Sequence, residues 1–95
     1  MFLLTTVVYP PDKSIRVAKK FTEIMARPLP PFMKRLYTFG NSKIDPGVKV
    51  LQLFEVDDAK VTEGIIEVTK QCVQFNEIED FKYEIETMLP RAFRE

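Results

Sequence analysis

The sequence has no histidine, no tryptophan, one cysteine and three glycines in 95 residues. Each scarcity removes a class of chemistry. Histidine titrates nearest neutrality and is the commonest metal ligand. Without it, proton transfer falls to carboxylates, tyrosines or lysines whose pKa has been shifted. A lone thiol, Cys72, permits neither an intrachain disulfide nor a CxxC site. Zinc or iron would need several thiolates or an all-oxygen cage. No haem, no tightly held transition metal, no other cofactor and no cysteine-based catalysis are expected. The single cysteine also fits a reducing compartment, and so a cytoplasmic protein.

Charge of one sign is missing as well. Fourteen Lys and Arg balance fourteen Asp and Glu. That leaves no net field for a mainly electrostatic grip on nucleic acid or an anionic membrane. Long apolar runs are absent. The run FLLTTVVY at residues 2–9 is too short to span a bilayer. It has neither a basic stretch before it nor a small-residue cleavage site after it, so it reads as a strand.

What is present is the composition of a globular chain, 45% hydrophobic and 29% charged. Residues 1–95 are expected to form one domain, with a modest core burying roughly 60–70% of the unfolded surface. FLLTTVVY, β-branched and aromatic, stops at Pro10-Pro11. Asp12-Lys13-Ser14 can then start a helix. In it Val17, Phe21 and Ile24 recur at helical spacing beside Ala18 and Met25. Arg27-Pro28 ends that helix, because proline disfavours the turn before it. RPLPPF is a stiff connector.

MKRLYTF at 33–39 is a second strand, and GNSKIDPG a turn, with Asp45-Pro46-Gly47 fitting type II. VKVLQLFEV at 48–56 is the third strand, antiparallel to the second across that short connection. Val61, Ile65, Val68, Cys72 and Phe75 form the apolar stripe of a second helix. FKYEIETM at 81–88 alternates strictly, with Phe81, Tyr83 and Ile85 on one side and Lys82, Glu84 and Glu86 on the other.

The order βαββαβ leads to an α+β, ferredoxin-like fold. Its four-stranded antiparallel sheet runs 4-1-3-2 with both helices on one face, and the right-handed crossover rule selects that hand.

The acids in VLQLFEVDDAK fall where the third strand hands over to the second helix. Asp57 or Asp58 suits the helix N-cap, because a carboxylate there accepts a bond from an unpaired amide. Glu55 lies inside the strand. Alternation puts Lys49, Leu51, Leu53 and Glu55 on one face, with Val48, Val50, Gln52, Phe54 and Val56 on the other. Whichever face the helices cover, Glu55 or Gln52 turns to the opposite one. If the protein is an enzyme, Glu55 is the candidate base, a carboxylate whose pKa a cavity would raise.

Tyr9 and Tyr37 are candidates to line a cleft between sheet and helices and donate to a ligand. Arg35 is a candidate to grip a carboxylate with both arms of its fork. Glu84 and Glu86, flanked by Lys82, read as a charged rim on an edge strand. Cys72, in the helix stripe, reads as a small buried hydrophobe.

The first and third strands are apolar on both sides. Two helices cover one face of a four-stranded sheet, so the second face would be a bare apolar patch. A second copy packed sheet to sheet about a two-fold axis would hide it.

In this order, with LQLFEVDD running from the third strand into the second helix, the chain resembles the dimeric α+β barrel superfamily, and within it small prokaryotic members without an assigned activity. The resemblance covers nearly the whole chain and rests on topology. It implies a homodimer whose sheets pair into a barrel, with cofactor-free chemistry or binding of a small organic molecule. Members that depend on histidine or tryptophan have no counterpart residues here. A non-catalytic association or regulatory module is the alternative. RNA binding is a weaker one, since strand three lacks the basic-Gly-aromatic pattern of RNA recognition motifs.

Overall fold

A computed structural model describes residues 1–43 and 47–89. The elements are β1 (Phe2–Tyr9), α1 (Ser14–Met25), β2 (Met33–Ser42), β3 (Val48–Val56), α2 (Val61–Val73) and β4 (Lys82–Met88). The strands form one antiparallel sheet ordered β2-β3-β1-β4. This is the 4-1-3-2 ferredoxin-like layout expected from the sequence. Three-residue 3-10 turns, Pro11–Lys13 and Asp58–Lys60, lead into the two helices. No described helix is long and apolar enough to cross a membrane.

Local chemistry accounts for most boundaries. Pro11 opens the turn before α1, where its missing N–H costs nothing. The helix stops at Met25, and Ala26 and Arg27 fold back onto the carbonyls of Thr22 and Ile24 before Pro28. β2 runs three residues past its expected end. Gly40, Asn41 and Ser42 stay paired to Val50, Lys49 and Val48. The type II turn expected at Asp45-Pro46-Gly47 lies outside the described residues, apart from Gly47 itself. Gly47 has φ +117°, and a Cβ there would meet the Tyr9 carbonyl at 2.7 Å. Only glycine fits that position without strain.

Both helices lie on one face of the sheet. Leu3, Val7, Tyr9, Phe54 and Val56 turn towards them and pack with Val17 and Ile24 of α1 and Val68 and Cys72 of α2. Gly64 lets α2 approach closely, since a Cβ there would sit 3.0 Å from Val56 Cγ1. The segment after α2 adds Phe75 and Ile78, both buried. Phe75 stacks on Phe81, centroids 4.5 Å apart, and Phe81 stacks on Tyr9.

The core falls into two clusters. One gathers Leu3, Met33, Phe54, Val56, Val68 and Cys72; the other gathers Val7, Tyr9, Val17, Ile24, Phe75 and Ile78. A polar row separates them. Thr38, Gln52 and Thr5 are directly paired across β2, β3 and β1 on the helix-covered face.

Asp57 and Asp58 do not act as side-chain caps. Asp57 is the residue before the 3-10 turn, yet its carboxylate caps nothing, and Lys60 rather than an aspartate precedes α2. The backbone does that work, with Lys60 N–H donating to Asp57 C=O at 2.8 Å. Asp58 instead accepts from the Met1 amino group at 2.7 Å, in an exposed ion pair. The 3-10 turn displaces α2 along the chain, so the acids stand one turn too early to reach its free amides.

Candidate functional site

The polar row is the unusual feature of the interior. Thr5 is 3% exposed and Gln52 5% exposed. Gln52 Nε2 donates to Thr38 Oγ1 at 3.4 Å, a long bond. Thr5 Oγ1 has no hydrogen-bond partner among the described residues. A buried hydroxyl left unpaired costs about 1–3 kcal/mol, so an apolar side chain would have served the core better.

Above the row sits a cavity of about 10 Å³, the room of one water, lined by Thr5, Gln52, Gln71 and Cys72 with apolar neighbours such as Phe21 and Val68. Ile24 and Gln71 also line it. The same two side chains line a groove of about 130 Å³ between the end of α1 and α2, with Arg27, Pro28, Glu67, Lys70 and Gln74.

Arg35 borders this region. β2 carries it on the helix-covered face, paired with Phe54, and its guanidinium lies over the Phe54 ring at 5.3 Å. One arm, Nη2, donates to Gln71 Oε1 at 3.5 Å. Its buried Nε–H has no acceptor among the described residues. Arg35 takes part in none of the ion pairs found there. Burial lowers its pKa from the usual arginine range.

The other sequence candidates separate. Tyr9 is buried under the helices, and burial raises its pKa. It pairs with Val48, six residues along β3 from the Phe54 partner of Arg35. Tyr37 and Glu55 are on the opposite, open face. For Tyr37 the cause is a β-bulge between Arg35 and Tyr37. Unbroken alternation from Met33 would put Tyr37 under the helices with Arg35. The extra residue, Leu36, reverses the order, so Tyr37 pairs with Leu53 and Phe39 with Leu51 on the open side. Tyr9 and Tyr37 therefore share no cleft.

Glu55 is exposed, between Phe2 and Lys34 in the sheet register. Gln52 is the polar residue of β3 that goes inward; sequence alternation offered the choice without resolving it. Cys72 is buried, and burial pushes its thiol up to about 11. Among the described residues no three of His, Cys, Asp and Glu gather as a metal site.

The open face is apolar at its centre. Phe2, Leu4, Thr6 and Val8 of β1 alternate with the buried set, beside Leu51 and Leu53 of β3. Tyr37 and Phe39 stack on β2 with centroids 5.6 Å apart, 58% and 57% exposed. The β4 edge contributes Lys82, Glu84, Glu86 and Met88 by register. A separate groove of about 250 Å³, lined by Arg16, Lys19, Lys20, Glu23 and Glu77, is charged on both sides. Lys20 and Glu77 pair across it at 3.0 Å, and that contact holds the Glu77 carboxyl below its usual range.

Fold and site define an α+β protein of βαββαβ order with one covered and one open sheet face. No protein-family model matches the chain, and no curated protein matches it.

Proposed function

We propose that the protein is a homodimer of the dimeric α+β barrel kind, which holds a small organic molecule between its sheet and helices without a cofactor. The observation that carries the reading is the contrast of the two faces: a bare apolar patch on one, and a polar row set into the core of the other. Patches of this kind mark interaction sites. A second copy is the occupant that fits, because a two-fold sets the same apolar rows against each other. An axis along the strands lays β4 over β2 of the second copy, with Glu86 and Glu84 level with Tyr37 and Phe39 by register. It also brings the Leu4 and Leu53 rows together. An axis across the strands would instead lay β4 over its own copy, where Glu84 and Glu86 come near like charge.

An association module without a ligand is the second reading. Its support is the small size of the cavity above the polar row. Nucleic acid has less support: β1 and β3 offer one aromatic, Phe2, to the open face, and Phe54 turns under the helices.

Light scattering at micromolar concentration tests the pairing. The expected mass is twice that of the chain, and Leu53→Lys should halve it while circular dichroism stays native. A wild-type monomer would end the barrel reading.

A further inference from the structure

We infer that the groove between α1 and α2 and the cavity behind it form one site for a small monocarboxylate with an apolar body, whose head takes the place of the Gln71 carboxamide on Arg35. The inference rests on the small-molecule reading above and names its ligand class.

Three observations converge. The first is the state of Arg35. A guanidinium offers five N–H donors in a fork that matches a carboxylate. Here one arm has a long bond to a neutral amide and the buried Nε–H has none. Arg35 has no carboxylate in ion-pair range among the described residues. A half-buried cation without a counter-ion is the condition that an anionic ligand relieves.

The second is the wall. Ile24 and Gln71 line both the outer groove and the inner cavity. Rotating the Gln71 side chain away from Arg35 joins the two spaces and frees the guanidinium in one movement. The third is what the joined space offers. Arg27 and Lys70 against Glu67 give its mouth a positive balance, while Ile24, Pro28, Phe21 and Val68 supply apolar walls. At its floor the unpartnered Thr5 Oγ1 and the Gln52 amide can bond a second oxygen. The groove is well below the several hundred Å³ of a drug-sized pocket, so the ligand is small.

The test uses benzoate and isovalerate, with benzamide and isovaleramide as neutral counterparts, titrated into the isotopically labelled protein. The expected result is a saturable shift of the Gln52 and Gln71 side-chain amide signals with the two acids and not with the amides. Arg35→Gln should weaken binding about tenfold or more, the loss of a charge-assisted bond. Gln71→Ala, which removes the competing carboxamide, should bind the acids at least as tightly as wild type, and it serves as the readout should Arg35→Gln not fold.

Amides binding at the same signals as well as the acids would overturn the carboxylate assignment and leave the small-molecule reading standing. Undiminished acid binding in a folded Arg35→Gln protein, or loss of it in Gln71→Ala, would likewise overturn it. No shift with any of the four compounds at millimolar concentration would overturn both and leave the association module.

Discussion

β3 carries two surfaces on alternate residues, and they meet different fates. Gln52, Phe54 and Val56 are buried under the helices, while Leu51 and Leu53, no less apolar than their neighbours, remain partly open and Glu55 is exposed. Within the strand the sets differ only at a few polar positions, Lys49 and Glu55 against Gln52. The difference is the cover: α1 and α2 close one face, and no described element lies on the other. The covered side is a core with a polar seam. The open side is an apolar sheet centre that no described element covers.

The sharpest way to sharpen that contrast is to truncate neighbours on opposite faces. Phe54→Ala should cost about 3–5 kcal/mol in chemical denaturation, because the residue is wholly enclosed and its cavity can close only in part. Leu53→Ala, one residue away, should cost less, and its cost should grow with protein concentration if the open face is a dimer contact. Equal losses, independent of concentration, would erase the distinction between the faces.

Cys72 tests the covered side by titration. Its thiol is held up to about 11 in the folded protein, against about 8.5 in an unfolded chain. Between those values the unfolded state has released a proton that the native state keeps. Stability should therefore fall as pH rises through that window, by on the order of 2 kcal/mol. Cys72→Val should lack this part of the slope, as read from urea midpoints at pH 8.5 and 10.5. Identical slopes would mean that the thiol is not enclosed.

Gly64 measures how tightly the cover fits. Alanine improves helix propensity by up to about 1 kcal/mol, but the new Cβ would press on Val56 at 3.0 Å. Overpacking of this kind costs about 1–3 kcal/mol. The expected outcome is a net loss of about 1 kcal/mol and a lower Tm; a gain would mean that α2 can lift from the sheet. The smallest effect is expected at Asp58, which belongs to neither core. Because its carboxylate caps no helix amide, Asp58→Ala should change stability by no more than about 1 kcal/mol, the range of an exposed ion pair. A loss near 2 kcal/mol would restore the capping role.

Much of this architecture was legible in the residues. A β-branched and aromatic run stopped by proline marked β1, the run after a short turn marked β3, and period-two alternation marked β4; period-3.6 stripes through Val17, Phe21 and Ile24 and through Val61, Val68 and Cys72 marked the helices; proline marked where α1 had to stop. These signals are local, and local sterics and hydrophobic periodicity are enough to produce them. Their order, with the crossover rule, was enough for the sheet as well. The candidate site was less legible. Arg35 was visible as a possible carboxylate ligand, but Gln71, which accepts from it, and Thr5, which lines the cavity with Gln71, carried no signal of their own: a glutamine on a helix and a threonine in a strand are ordinary residues in ordinary places.

What the tertiary structure decided are the choices to which alternation is blind. A strand pattern defines two faces, each of β3 with polar residues, and the placement of the helices sent Gln52 inward and Glu55 outward. The bulge at Leu36 is a pairing event between β2 and β3. It reverses the facing of Tyr37 and Phe39, moving two aromatics from the core side to the open side. The 3-10 turn at Asp58–Lys60 shifts the start of α2 and takes Asp57 and Asp58 out of capping range. In each case the physical reason is the same. The outcome depends on the register or approach of a segment distant in sequence, which the residues tolerate without uniquely specifying.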